Sequence, residues 1–361
     1  MVNSRDWDAF WAQTTPESEI LMRDFYGGRQ WILKHVPRFG KVVEAGSGLG
    51  RYVFYLEKLG IDVEGVDFHE DTVRRAIDWS RGKGLSAEFK VADVLDLPYE
   101  AGTVSGYLSF GVVEHFVGGP QKAIREAHRV LRPGGIAIIT TPSVSFSLVY
   151  LRILSKIKDA VRRAIGAPRK KQEFFQYWYS PERLAGFVEK SGFRVVLHGG
   201  GDLFYPMWEL GVIPRGNAFF ALLARLERTA LSRFGAQSFT VSVKAGPMMH
   251  CFLCGQQKVK EERLKKFYVP ICEDCESSDL ARHYRHARRP KFNEPWSFES
   301  GTEPVTSKTC TYCGSEFQTD PLFEDFGFSV PVCEQCLKKP EINIELSNRF
   351  LKPTWRNLRP G

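Results

Sequence analysis

The chain has 361 residues, of which 43% are hydrophobic, so it is long enough for a full catalytic core and smaller additional units. Its formal net charge of +8 suits a polyanion or an anionic membrane surface, although a bulk charge does not show where the positive residues lie. The first residues lack the basic and apolar segments of a signal peptide, and no apolar run approaches the roughly 20 residues that span a bilayer. We therefore expect a cytoplasmic protein of two or three domains.

Residues 1–40 predict a helical cap with aromatic residues at helical spacing. From Lys41 to Pro142, short β-rich runs alternate with helical stretches, as in a parallel sheet covered by helices on both faces. Ser180 followed by Pro181 then predicts the start of a further helix. These patterns indicate an α/β, doubly wound catalytic domain over residues 41–246.

Two helical insertions interrupt this alternation, at about 143–179 and about 201–235, and we predict that they form a lid. Within the first insertion, residues 148–171 combine an apolar stripe with a basic face. Such a helix either makes peripheral contact with an anionic membrane, which would be the inner membrane face, or packs on its own core.

The stretch VVEAGSGLGR at Val42–Arg51 contains the first predicted strand, which ends in an acid, and then three alternating glycines that open a helix. The dinucleotide fingerprint requires a third glycine at the position of Arg51, and no Gly-Lys-Ser/Thr of a P-loop follows. The acid Glu44 would also repel a phosphate at close range. The stretch therefore favours a cationic ligand that carries its own carboxylate.

Five motifs occur in order along this region: EAGSGLG at Glu44–Gly50, GVD ending at Asp67, VADVLDLP at Val91–Pro98, SFGVVEHF at Ser109–Phe116 and RVLRPGG at Arg129–Gly135. They resemble those of class I S-adenosylmethionine-dependent methyltransferases, of the type that includes the ubiquinone and menaquinone biosynthesis methyltransferases. The resemblance extends from Lys41 to Lys244 and implies a seven-stranded Rossmann-like sheet with an antiparallel last strand, and S-adenosyl-L-methionine as the cofactor.

In that family, the acid that ends the second strand holds the ribose hydroxyl groups, and the resemblance assigns this role to Asp67. The alternative is that Asp67 and Asp93 are solvated loop acids. The resemblance implies the following cofactor-binding residues: Glu44, Gly46, Ser47, Gly48, Gly50, Asp67, Phe68, Asp93, Val94 and Phe110.

For the chemistry, His115 is either a general base or only part of the pocket wall. Relatives with a metal here carry a glutamate where this chain has Gly111, so the resemblance does not extend to a catalytic metal. Ser109–Val112 lacks the segment used to methylate base amino groups, and the first 250 residues contain no cysteine to attack a pyrimidine. We therefore expect O-methylation of a small-molecule, lipid-linked or glycan acceptor.

We predict that Phe174, Trp178 and Tyr179 line the acceptor pocket. The alternative is that they form a hydrophobic plug under the predicted lid. Two other hypotheses stay open at this point. One is an RNA-modifying methyltransferase, and the other is a cofactor-fold binding module without turnover.

All the cysteines occur as C-x-x-C pairs after Met249, in two copies of a repeat. Each copy supplies four thiolates at the spacing of a structural zinc site of the zinc-ribbon or treble-clef type, with redox pairs or disulfides as the alternative. The predicted units are module 1 at 247–289, a linker at 290–307, module 2 at 308–340 and a tail at 341–361. Their partner would be a protein, a nucleic acid or the neighbouring domain. The predicted ligands of two zinc ions are Cys251, Cys254, Cys272, Cys275, Cys310, Cys313, Cys333 and Cys336.

Overall fold

The structure is a computed structural model. It describes residues 4–12, 14–22, 34–144, 176–201, 235–286, 308–310, 312–317, 333–337, 339 and 342. Most of the two predicted lid insertions, the segment 148–171 proposed to contact a membrane, and Phe174 therefore lie outside the described residues. Among the helices that it does describe, none combines the length and apolar character needed to cross a membrane.

A seven-stranded sheet forms the centre of the fold, with the order β3-β2-β1-β4-β5-β7-β6. The first five strands run parallel, and β7 is antiparallel to both of its neighbours, as the sequence predicted. The strands are β1 (Val42–Ala45), β2 (Val63–Asp67), β3 (Glu88–Val91), β4 (Val104–Phe110), β5 (Leu131–Pro142), β6 (Arg194–Gly201) and β7 (Gln237–Val243).

Helices cover both faces of this sheet, because neighbouring strand residues point in opposite directions. Val42 joins the hydrophobic cluster under α3 and α4, whereas Val43 joins the cluster under α5 and α6. The helices of this part are α1 (Ser4–Trp11), α2 (Pro16–Met22), α3 (Arg51–Lys58), α4 (Glu70–Gly82), α5 (Gln121–Val130) and α6 (Pro181–Lys190).

Two boundaries show how local sequence sets these elements. The Ser180 side chain accepts a hydrogen bond from the Arg183 amide, and Pro181 is the first residue of α6, which confirms the predicted helix start. In contrast, β5 begins at Leu131, four residues before Gly135, where the GIAIITTP run predicts the strand to start. Leu131 pairs with Val104 across an irregularity in the register, so the turn-like RPGG is absorbed into the strand.

Module 1 packs on the catalytic domain at the amino-terminal edge of the sheet. Its first hairpin consists of β8 (Met248–His250) and β9 (Gln257–Lys260), and Nδ1 of His250 lies 3.1 Å from the carbonyl oxygen of Pro133 in β5. The helical part of module 1 around Cys275 is short. It comprises α7 (Glu273–Glu276) and a 3₁₀ turn at Ala281–Tyr284.

Module 2 is described only in part. It contains the strand pair β10 (Lys308–Thr309) and β11 (Glu316–Phe317) and the short helix α8 (Glu334–Leu337). The β10–β11 pair is antiparallel, like the β8–β9 hairpin of module 1, which agrees with the internal repeat in the sequence.

Candidate functional site

The glycine-rich loop connects β1 to α3 at the carboxyl edge of the parallel strands, where open α/β sheets bind their ligands. Gly46 and Gly48 have φ angles of 76° and 52°, which side-chain-bearing residues rarely adopt. A Cβ atom on Gly46 would lie 2.3 Å from Val112, and one on Gly48 would lie 2.5 Å from the ring of Trp11. Neither position can accept a side chain without displacing its neighbour.

Ser47 lies between these glycines with its side chain almost fully buried. Its hydroxyl oxygen has no hydrogen-bond partner among the described residues, which is costly for a buried polar group. The hydroxyl oxygen lies beside β2, 2.8 Å from where a Cβ atom on Gly65 would be. A cofactor contact of Ser47 stays a prediction.

Asp67 ends β2 directly beside this loop. One carboxylate oxygen accepts a hydrogen bond from the amide of Gly48 at 2.9 Å, and the other accepts one from the amide of His69 at 2.9 Å. Burial raises the pKa of Asp67, although both amides and the nearby imidazole oppose that shift. Because each carboxylate oxygen can accept a further bond, the group is still able to hold two hydroxyl groups of a ribose.

Glu44 lies under the loop and belongs partly to the following helix. Its Oε2 accepts a hydrogen bond from the amide of Val53 at 3.0 Å, near the start of α3. The side chain is buried, and this burial raises its pKa to about 8, against the lowering effect of Arg51. Glu44 thus shapes the loop from below, and it is sensitive to any positive charge placed there.

The residues predicted to face adenine lie at the ends of β2 and β3. Phe68 exposes 37% of its surface, whereas Val94 is buried. The Asp93 side chain accepts a hydrogen bond from the Leu95 amide, and the Ala92 amide donates to the carbonyl oxygen of Asp67. At the end of β4, Phe110 packs on Tyr52 at a ring distance of 4.6 Å. These side chains form one edge of the cleft beside Asp67.

Helix α1 crosses this cleft, which the sequence analysis foresaw only in general terms. Trp11 lies over Gly48, while Trp7 meets the imidazole ring of His115 edge-to-face at 4.9 Å. Asp8 Oδ1 lies 2.7 Å from Nε2 of His69. Since Nδ1 of His69 accepts from the Thr72 amide, Nε2 carries the proton that Asp8 accepts. α1 therefore connects the cofactor loop to the predicted general base.

His115 ends a 3₁₀ turn, Val113–His115, that follows β4. The adjacent Glu114 is fully buried, and neither of its carboxylate oxygens has a hydrogen-bond partner within the described part of the chain. Desolvation raises its pKa to about 8. Oε1 of Glu114 lies 4.0 Å from Nε2 of His115, which is too far for a hydrogen bond. The sequence predicts a role only for the histidine of this pair, because burial of Glu114 without a partner leaves no sequence signal.

Two of the predicted acceptor-pocket residues lie in the described segment 176–180, next to Glu114. The amide of Tyr177 donates to the carbonyl oxygen of Glu114, and the amide of Tyr179 donates to that of Pro142. Tyr179 is 3% exposed and packs edge-to-face on Phe187, whereas Trp178 is half-buried. The segment thus closes one side of the space around Glu114, and the role of Trp178 and Tyr179 in binding stays a prediction.

The eight cysteines form two groups of four. In each group, the four sulfur atoms all lie within 4.8 Å of one another. The sulfur atoms of Cys254 and Cys272 are 3.8 Å apart, and those of Cys313 and Cys333 are 3.6 Å apart. Four thiolates about 2.3 Å from a tetrahedral zinc ion would be about 3.8 Å apart, whereas a disulfide requires about 2 Å. Both groups therefore fit a zinc ion, and all the cysteines are free.

Comparison with known proteins identifies relatives of the catalytic domain. Residues 43–139 match the family model described as a methyltransferase domain. A demethylmenaquinone methyltransferase of Thermus thermophilus is 28% identical over 204 residues, which are 51% of this chain and 91% of that protein. The corresponding protein of Deinococcus radiodurans is 29% identical, over 51% of this chain and 83% of its own length. The tocopherol O-methyltransferase of Arabidopsis thaliana is 38% identical over 106 residues, which cover 28% of this chain and 30% of that protein.

Proposed function

We propose that this protein, whose fold and similarities support a class I S-adenosylmethionine-dependent methyltransferase, methylates an oxygen atom of a small-molecule or lipid-linked acceptor. The observation that carries the proposal is the cradle formed by Gly48, by Ser47, whose hydroxyl group has no partner among the residues described, and by the carboxylate of Asp67. These groups fit a ligand with a ribose and an amino acid part.

In this proposal, Asp67 holds the ribose hydroxyl groups and Ser47 contacts the amino acid part. Phe68 and Val94 border the adenine. Bound S-adenosylmethionine would supply a sulfonium methyl group, whose transfer breaks a carbon–sulfur bond and leaves the neutral sulfide S-adenosylhomocysteine. The protein then has to align the acceptor, exclude water and accept a proton.

The acceptor enters beside His115, at the carboxyl ends of β4 and β5. His115 is 8% exposed and is positioned by the ring of Trp7, so its imidazole can take the proton of an acceptor hydroxyl group and later release it to solvent. Relatives named for demethylmenaquinone, tocopherol and a phytyl hydroquinone support an acceptor with a hydroxylated ring.

The two cysteine groups are proposed to be structural zinc sites. Four thiolates complete a tetrahedral shell, so no position remains for a substrate or a reactive water molecule. In module 1 the site stabilises a unit that packs on the amino-terminal edge of the sheet, opposite the cofactor loop. Docking of a protein or nucleic-acid partner remains the proposal for module 2.

The test is incubation of the purified protein with methyl-labelled S-adenosylmethionine and separate pools of lipids, small molecules, RNA and protein. Label in hydroxylated aromatic lipids or small molecules is the expected result. Label in RNA alone would support the RNA-modifying alternative, and cofactor binding without transfer to any pool would support a non-catalytic module.

Asp67→Asn should weaken S-adenosylhomocysteine binding, measured by calorimetry, by about 10-fold to 100-fold, because it loses charged hydrogen bonds to the ribose. Asp62→Asn is the matched control. Asp62 is 60% exposed and lies at the opposite edge of the sheet, and among the residues described its side chain pairs only with Lys41. Equal affinities of the two variants would contradict the assigned role of Asp67.

A further inference from the structure

Glu114 occupies an unusual position for a glutamate. It follows β4 at the carboxyl edge of the sheet, its side chain is 0% exposed, and both carboxylate oxygens lack hydrogen-bond partners in the described structure. Burying a polar group without a hydrogen-bond partner destabilises the folded protein, and the penalty is larger if the group is charged. Such a cost at the edge of a sheet that binds ligands indicates that a bound molecule provides the missing partner.

Among the described residues, burial outweighs the groups that could stabilise a negative charge on Glu114, of which its own backbone amide lowers the pKa. On its own turn, His115 lies beyond hydrogen-bond distance. From the segment 176–180, Tyr177 contributes a backbone amide to the Glu114 carbonyl oxygen, and the neutral phenol of Tyr179 lies within electrostatic range. Burial raises the pKa of Glu114 to about 8 and that of Tyr179 to about 12, so both are predominantly protonated at neutral pH.

A protonated carboxyl group is a hydrogen-bond donor, whereas an ionised one only accepts. The end of β5, the strand next to β4, also carries polar groups. The hydroxyl oxygens of Thr141 and Ser143 are buried and have no partner among the residues described. Gly111 contributes no side chain there, and a Cβ atom at that position would lie 3.6 Å from Oε1 of Glu114. The end of β4 and the end of β5 thus carry several unsatisfied polar groups at one edge of the sheet.

We infer that Glu114, as a neutral acid, donates a hydrogen bond to an oxygen atom of the methyl acceptor and so orients it for transfer. This inference rests on the proposed function and deepens it, because it requires an acceptor with two oxygens. The hydroxyl group that is methylated gives its proton to His115, and the second oxygen accepts the hydrogen bond from Glu114. A dihydroxylated aromatic ring meets this requirement.

The protonation state of Glu114 can be measured without any acceptor. We would record infrared difference spectra of the protein saturated with S-adenosylhomocysteine, comparing wild type with Glu114→Gln from about pH 6 to about pH 10. The expected signal is a carboxylic acid C=O band that is present at neutral pH in wild type, absent in the variant and lost with a midpoint near pH 8. A wild-type band already absent at neutral pH would overturn the inference.

The positioning role is tested with hydroquinone and dihydroxynaphthalene as probe acceptors. Glu114→Gln keeps an uncharged donor and should retain most of kcat/KM at neutral pH, whereas Glu114→Ala should lower it by about 10-fold to 100-fold. Above about pH 8, wild type should lose activity relative to Glu114→Gln, because only wild type loses its donor proton. Ionisation of the acceptor itself affects both proteins equally.

Glu64→Gln is the control for removing a buried glutamate charge. Glu64 is 1% exposed, pairs with Lys90 and Lys41 and accepts a hydrogen bond from Tyr99, near the amino end of β2 and away from the carboxyl edge that carries Glu114. This variant should change thermal stability without changing the decrease of kcat/KM above about pH 8, the alkaline limb of the pH profile. An alkaline limb that is identical in wild type and Glu114→Gln, or equal activities of Glu114→Gln and Glu114→Ala, would show that Glu114 is only structural.

If neither probe is methylated while S-adenosylhomocysteine binds normally, the proposed acceptor class fails and the role of Glu114 fails with it, whatever the infrared result.

Discussion

The hydroxyl group of Tyr284 donates a hydrogen bond to the carbonyl oxygen of Lys34 at 2.9 Å, and so joins module 1 to the segment that enters β1. The Tyr284 side chain is fully buried, and its ring packs on those of His35 and Phe252. Because β1 continues directly into the glycine-rich loop, packing of the module can influence the cofactor site from the opposite edge of the sheet.

Tyr284→Phe should lower the free energy of unfolding by about 1–2 kcal/mol, because it leaves a buried carbonyl oxygen without its donor while the ring packing is kept. Chemical denaturation of the metal-loaded protein measures the change. Tyr177→Phe is the matched control, because the Tyr177 hydroxyl group also donates a hydrogen bond to a carbonyl oxygen, but the Tyr177 side chain is 38% exposed. Destabilisation of the control by as much as Tyr284→Phe would argue against a special role of this contact.

Loss of metal from the two modules should have unequal consequences. Cys254→Ser should remove about one zinc ion per chain, lower the melting temperature and weaken S-adenosylhomocysteine binding, because module 1 contacts residues 34–39 directly before β1. Cys313→Ser should remove a similar amount of zinc and change cofactor affinity by less than about two-fold. Elemental analysis, thermal unfolding and calorimetry on the same samples separate the effects. Equal loss of cofactor affinity in both variants would contradict the proposed coupling through module 1.

Gly48→Ala should abolish measurable cofactor binding. The new methyl group would lie 2.5 Å from the Trp11 ring at a φ of 52°, so either the loop or α1 has to move. Gly84→Ala separates this clash from backbone strain alone, because Gly84 has a φ of 65° and open space around its Cβ position. The control should lose about 1–2 kcal/mol of stability and keep normal affinity. Normal binding by Gly48→Ala would remove the loop from the proposed site.

Sequence patterns predicted the sheet and most of the loop because both depend on short-range features. Alternating β-rich and helical runs define the parallel strands, and Ser180 with Pro181 defines a helix start. The contacts of α1 were not predictable in detail, since the distance from Trp7 to His115 depends on tertiary packing. The isolation of Glu114 is likewise a property of what surrounds it. Packing of module 1 on β5 involves His250, which the spacing of the cysteines left without a role.

The raised pKa of Glu44 predicts that cofactor binding is linked to proton release. Its carboxyl group is buried beneath the loop and has a pKa of about 8, so it is largely neutral at pH 7 in the free protein. S-adenosylmethionine carries a net positive charge, which favours the ionised form of a nearby acid and lowers its pKa. Affinity should therefore increase as the pH rises through the pKa of the free protein and level off above it.

Calorimetry in two buffers of different ionisation enthalpy measures this proton release directly. Wild type should release a fraction of a proton at neutral pH, and Glu44→Gln should release less, because it lacks the Glu44 carboxyl group and keeps only the other buried acids with raised pKa, Asp67 and Glu114. In the free protein, a rise in pH lowers the contribution of Glu44 to stability, whereas it raises the affinity for the cofactor. A neutral buried Glu44 adds stability that is fully present below the unfolded pKa and is lost as the pH rises through about 8, so the melting temperature of wild type relative to Glu44→Gln should decrease over that range. Equal proton release by both proteins would show that the charge of the bound donor does not reach Glu44.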